Sequence, residues 1–94
     1  MITITIRQHG LEASGHANYG PYGHDIVCSA VSALTLTLLQ GLRDIAEDEV
    51  EEITERGHVR LSWGELSSAG RILVDAWFLG ICGIRESYGR IEFA

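Results

Sequence analysis

Lysine is missing from this sequence, and proline occurs once, at Pro21. The seven basic residues are all arginine and face 13 acids, for a formal net charge of −6. A surface so short of cations is a poor match for a phosphate backbone, so nucleic acid is not an expected partner. Cysteine is scarce as well: Cys28 and Cys82 are too few for a disulfide framework. The start, MITITIRQHG, has no basic segment followed by an apolar one, so no leader is expected and the setting is predicted to be the reducing cytoplasm. Long apolar runs are absent too. The longest uncharged stretch, Ile26 to Leu42, has 17 residues and includes Ser29, Ser32, Thr35, Thr37 and Gln40, which predicts a buried helix and no membrane span.

What is present suits one small folded unit. The 94 residues are 46% apolar and 21% charged, the balance of a globular chain, and a single domain over 1–94 is expected. So short a chain buries little over ~60% of its unfolded surface, so self-association would add to its core. The acids cluster: Asp44 to Glu55 holds seven acids and no base, so this segment is −7 and the remainder +1. A solvated helix end and hairpin rim is the reading of that run.

Ile2, Ile4 and Ile6 alternate with Thr3, Thr5 and Arg7, a strand pattern, and His9-Gly10 offers a turn into a second strand that runs out at Gly15. Ala17 to His24 concentrates Gly20, Pro21 and Gly23 with Tyr19 and Tyr22 and reads as a loop. From Asp25, a natural N-cap, Val27, Val31, Leu34, Leu38 and Leu42 form one helical stripe. Ile26, Ala30, Ala33 and Leu39 widen it, so this helix is expected to be covered on most sides. Val50–Glu55 and His58–Trp63 flank Arg56-Gly57 as a second hairpin. Ser62-Trp63-Gly64-Glu65 has the spacing of a capping box, which predicts that a second helix starts there. Ala69, Ile72, Leu73, Ala76, Leu79 and Gly83 are then its inner face, and it ends before Tyr88-Gly89. Arg90 to Phe93 is a short edge strand. The order ββαββα(β) argues for an α+β two-layer sandwich, antiparallel hairpins packed on two helices, with no helix joining parallel strands.

The chemistry-bearing constellation is Gly15-His16-Ala17 followed by Asp25-Ile26-Val27-Cys28. With Asp25 as N-cap, Cys28 is the third residue of the helix, where the positive end of the helix dipole favours a thiolate, the nucleophilic form. A histidine at the end of the preceding strand could take the thiol proton and return it to a leaving amine, the logic of acyl transfer. Amides of the first helical turn, that of Cys28 included, are the expected donors to an oxyanion. The glycine-rich, tyrosine-bearing loop between the two groups has the character of a substrate-binding flap.

GHANYGPYGHDIVCSAVSAL, residues 15 to 34, resembles the signature of the bacterial ribosomal-processing cysteine protease family, Prp: GHA, a glycine-rich loop, then DIVC and a later serine. The resemblance implies a small homodimer that removes the N-terminal extension of a large-subunit ribosomal protein with a histidine and cysteine pair, and no cofactor is expected. It makes His16 the general base and Cys28 the nucleophile, with Asp25 and Ser32 in support, Asp25 either orienting His16 or capping the helix. Gly15, Tyr19, Gly20, Tyr22 and Gly23 fall in the segment expected to meet the peptide. Ser29, where alanine is common, and Tyr88-Gly89, where relatives have Tyr-Pro, depart from the pattern without touching the dyad. Relatives in phages make capsid or scaffold proteins alternative substrates.

Two other readings compete. His16, His24, Asp25 and Cys28 are borderline metal ligands, but no second Cys or His pair stands nearby, and no metal is expected. A noncatalytic ribosome-associated or protein-binding module of the same fold would be expected to lose the histidine or the cysteine, and both are present. Cys82 reads as a core residue, Trp63, Trp77 and Phe78 as core or dimer interface, and His9 and His58 as solvent-facing turn residues.

Overall fold

Alternating isoleucines build β1 (Ile2–Arg7), and β2 (Gly10–Gly15) pairs back on it antiparallel with Ile4 opposite Ala13 and Ile6 opposite Leu11. The computed structural model describes residues 1–21 and 24–94. Ile2, Ile4, Leu11 and Ala13 are buried on one sheet face, while Glu12 and Ser14 point to the other. The second hairpin is β3 (Val50–Glu55) and β4 (His58–Trp63), turning at Arg56-Gly57 as expected. β4 lies antiparallel against β2 with Leu61 opposite Leu11, so the inner faces of both hairpins form one apolar surface. On the outer face the imidazole of His58 meets the carboxylate of Glu12, so His58 is a half-buried hydrogen-bond partner and not a free turn residue. This pairing, ahead of a smaller contribution from Arg7, holds the Glu12 carboxyl below its ordinary range against the opposing effect of burial.

The last strand, β5 (Ile91–Phe93), adds to the far edge of β1 in parallel, giving the sheet order β3-β4-β2-β1-β5. Its direction corrects one expectation. β3 runs parallel to β2, and β5 parallel to β4, because each pair is related by an even number of antiparallel steps or by the parallel β1–β5 step. Helix α1 (Ile26–Asp44) therefore connects β2 to β3, and α2 (Ser68–Tyr88) connects β4 to β5, as crossovers between parallel strands that are not neighbours. The sequence order alone hid this, since other strands are inserted between each parallel pair. The α+β two-layer architecture stands, with a mixed sheet.

Asp25 is the N-cap of α1, as its position predicts, and Ile45 and Ala46 N–H close the far end on the Gly41 carbonyl. Val27, Val31, Thr35, Leu38, Leu39 and Leu42 are buried, but Ile26, Ser29, Ser32, Ala33 and Leu36 are exposed. The helix is covered on one side, not most.

α2 departs further from expectation. Trp63 remains in β4, its N–H donating to the His9 carbonyl, while a ring nitrogen of His9 meets the Gly64 carbonyl. These bonds hold the supposed capping box in extended backbone. The N-cap is Ser67, whose Oγ accepts from Gly70 N–H while Ser67 N–H and Oγ–H donate to Asp48. The inner face follows from that start and carries Gly70, Leu73, Val74, Trp77, Ile81 and Ile84; Ile72 and Leu79 are 67% and 71% exposed. Cys82 is half-buried, and Phe78 lies at the surface against Phe93.

Trp77 locks the helices together. Its indole N–H donates to Thr35 Oγ at 3.1 Å, and the Thr35 hydroxyl donates to the Val31 carbonyl at 2.7 Å, all inside the core. Thr35→Val keeps the shape and orphans a buried indole N–H, so it is expected to lower unfolding stability by about 1–3 kcal/mol. Thr35→Ser, which keeps the acceptor, is expected to lose less, and urea denaturation of the two variants beside the wild type measures both.

Candidate active site

β2 stops at Gly15 for a steric reason: its backbone has φ +97°, and a Cβ there would stand 2.5 Å from the Met1 carbonyl oxygen. His16 follows as the first residue beyond the strand, exposed at its end. The chain then turns inward, and Ala17 is buried. Cys28 is the third residue of α1 and half-buried, and its Sγ accepts a hydrogen bond from the Ala17 N–H at 3.4 Å. Strand end and helix start thus meet through the sulfur.

Asp25 organises the rest. One carboxylate oxygen accepts from Val27 and Cys28 N–H, both at 3.0 Å, and the other from Tyr19 N–H at 2.9 Å. The Cys28 amide is the largest influence on this carboxyl; the amides of Tyr19, Gly20 and Val27 add to it, and together they hold it below the usual 3.8 despite burial. Both oxygens therefore face main-chain amides that tie loop to helix. The same bonds engage three of the amides expected to serve an oxyanion. The Val27 and Cys28 amides already serve the N-cap, and Ser29 N–H serves the Asp25 carbonyl.

His16 is placed by a partner 41 positions away. Gly15 N–H donates to the Gly57 carbonyl at 2.8 Å, which brings the β3–β4 turn against the end of β2. Gly57 has φ +74°, and a Cβ on it would lie 2.9 Å from His16 Nε2 and 3.1 Å from Cε1. The imidazole rests on the bare glycine. His16 and Cys28 then face one cavity of about 510 Å³, lined also by Asn18, Gly20, Asp25, Ser29, Ser32 and Arg56. A second hollow of about 260 Å³ continues along α1 between Val31, Ser32, Thr35 and Leu36 on one side and Thr54, Gly57 and Val59 on the other. His16, Cys28, Ser32 and Arg56 line both, so an extended chain crossing from one hollow to the other passes the sulfur.

Of the residues singled out from sequence, His16, Cys28, Asp25, Ser32 and Gly20 line the larger cavity, and Gly15 lines the smaller. Tyr19 stacks edge-on against Tyr88 at 5.5 Å, with the Arg90 guanidinium 5.6 Å above its ring. Tyr22 and Gly23 lie outside the described residues. Sequence reasoning missed three contributors: Arg56 and Gly57, read only as a hairpin turn, and Arg90, which donates to the Asn18 carbonyl at 2.8 Å and to the Ala17 carbonyl at 3.4 Å. Nothing local marks Gly57 and Arg90, because their partners lie far along the chain.

A thiol and an imidazole on one cavity wall beside an extended hollow are suited to acyl transfer on a peptide. The sequence matches the cysteine protease Prp family over residues 1–91. A 34-residue segment is 53% identical to the ribosomal processing cysteine protease Prp of Mycoplasma pneumoniae, covering 36% of this chain and 34% of that protein, so the match spans about a third of the relative. The fold is similar to that of the essential ribosomal processing protease Prp from S. aureus with a covalently linked product peptide, with TM-score 0.89, 23% identity, and coverage of 99% of this chain and 97% of the other. It is also similar to SMU.848 from Streptococcus mutans, with TM-score 0.77, 27% identity, and coverage of 98% and 89%.

Because the folded-state carboxyl of Asp25 is held low, its stabilising effect is fully present above the unfolded value near 3.8 and disappears as pH falls through the lower folded value. The difference in urea midpoint between wild type and Asp25→Asn is therefore expected to be constant from pH 5 to 7 and to shrink below about pH 4. Gly57→Ala is expected to cost about 1–2 kcal/mol for the left-handed backbone and to shift the His16 ring resonances in NMR spectra. Gly57→Asn, which tolerates that backbone, is expected to recover stability and still displace the ring.

Proposed function

Because the chain belongs to the cysteine protease Prp family, we propose that it is an endopeptidase acting through Cys28 and His16. The observation that carries this reading is the placement of both side chains on the walls of one cavity, next to a groove that can take an extended chain. Cys28 Sγ, its proton passed to His16, attacks the scissile carbonyl carbon, and the carbonyl electron pair moves onto oxygen. Collapse of that adduct breaks the C–N bond, His16 protonates the departing amine, and a thioester remains on Cys28. Water activated by His16 then hydrolyses the thioester and restores the thiol. Asp25 fixes the helix start that carries Cys28, and Ser32, one turn further along α1, lines the path of the peptide.

The substrate is the N-terminal extension of a large-subunit ribosomal protein, cut in the cytoplasm. The names of the Mycoplasma pneumoniae and S. aureus relatives, both ribosomal processing proteases, support this choice over a phage capsid or scaffold protein. The working form is a homodimer, an assignment supported by the apolar side chains of Ile72 and Leu79, which α2 leaves uncovered.

Incubation of the chain with a peptide spanning such an extension is expected to give two products whose masses identify one bond. Cys28→Ala is expected to abolish cleavage and His16→Ala to slow it by about 10²–10⁴-fold, with both variants folded by circular dichroism. Uncut peptide would refute the substrate, and cleavage surviving in Cys28→Ala would refute the nucleophile. In sedimentation the wild type is expected at twice the chain mass and Leu79→Glu at the chain mass; a monomeric wild type overturns the dimer.

A further inference from the structure

The tetrahedral adduct needs a donor for its oxygen, and the bonds around Cys28 narrow the choice. In the first turn of α1 the Val27 and Cys28 amides donate to the Asp25 carboxylate and the Ser29 amide to the Asp25 carbonyl. Across the cavity, Tyr19 N–H is committed to the other carboxylate oxygen. Ala17 N–H differs from all of these, because it points at the sulfur itself, 3.4 Å away. When Sγ bonds to a carbonyl carbon, the new oxyanion sits one bond beyond that carbon, within reach of an amide already aimed at the sulfur. We propose that the Ala17 amide is the oxyanion donor of this enzyme, an inference that rests on the reading of Cys28 as nucleophile.

Preorganisation is what makes such a donor effective, since an amide that must first reorient gives back part of its stabilisation. Ala17 is held in three ways. Its methyl group is buried, with 1% of the residue exposed. Its own carbonyl and that of Asn18 accept from Arg90. The residue before it, His16, is seated on Gly57. The GHA segment therefore presents proton carrier and oxyanion donor from adjacent residues. As the carbonyl π pair moves onto oxygen in the attack, that oxygen comes to lie before the fixed Ala17 N–H, which exchanges its bond to sulfur for one to oxygen; when the amine leaves, the pair returns to re-form C=O and the bond reverts.

The test removes one N–H. The full chain is assembled by ligating a synthetic 1–27 thioester to residues 28–94, which begin with the required Cys28, with Ser in place of Cys82 to leave one thiol. One version carries L-lactate instead of Ala17, so that an ester replaces the amide. Two small probes separate the roles: p-nitrophenyl acetate acylates sulfur through an oxyanion, and iodoacetamide alkylates it without one. The ester chain is expected to lose about 10²-fold in acylation rate and to stay within about twofold of the all-amide chain in alkylation. Equal losses with both probes, or no loss with either, overturn the assignment. A second readout uses wild-type chain labelled with ¹⁵N-alanine. Its Ala17 amide proton is expected to move downfield on hemithioacetal formation with acetaldehyde and not on alkylation; identical responses overturn the assignment even if the ester chain does not fold. Should Cys28 of the native chain prove no more reactive than Cys82 toward iodoacetamide, the nucleophile itself is refuted, a result distinct from either ester outcome.

Discussion

A single carboxylate, that of Asp25, gathers the amides of Tyr19, Val27 and Cys28 and thereby fixes where a loop ends and a helix begins. The cysteine has its place because of that junction. An N-cap aspartate is ordinarily worth a modest stabilisation of one helix. Here its second oxygen reaches back across the loop, so the same group that caps α1 also sets the distance between the strand end bearing His16 and the helix turn bearing Cys28. The charge is maintained by the bonds it receives, which resist protonation, and the arrangement is self-consistent across the neutral pH range.

The other half of the site comes from the sheet. The β3–β4 turn has no side chain at Gly57, and the imidazole fills that space, while the Gly57 carbonyl anchors Gly15. A bulky turn residue and a histidine could not occupy the same region. The geometry therefore couples two glycines, one ending β2 and one closing the second hairpin, to a ring that neither would hold alone.

Much of this was legible in the sequence where the determinants were local. Period-two alternation located β1 and β2, the Asp25 cap and the Val27-Val31-Leu38-Leu42 stripe located α1, and Arg56-Gly57 located the second turn. The motif around His16 and Cys28 pointed to the cavity that the structure forms. Where tertiary partners decide, local signals misled: Ser62 to Glu65 has the spacing of a cap, but pairing with β3 and the bond to His9 keep Trp63 extended. The five-residue delay in starting α2 sets its inner face on Trp77 and sends Ile72 and Leu79 outward. The oxyanion donors are a case of another kind. Naming Asp25 as N-cap already implies that the second and third amides of the helix are occupied. The parallel relation of the crossover strands was hidden because strand order in a sheet is not chain order.

Pairing of the first strand with the last has a consequence for how the molecule matures. Thr3 and Glu92, 89 positions apart, are joined by a side-chain hydrogen bond at the β1–β5 seam, and Arg90, the residue that steadies the Ala17 and Asn18 carbonyls, immediately precedes β5. Closing so long a loop costs more entropy than pairing strands that are neighbours in the chain, although that cost grows only slowly with length. On a growing chain α1 and its thiol are laid down before Arg90 and β5, so the Ala17 and Asn18 carbonyls gain this partner only once the last strand of the sheet is present.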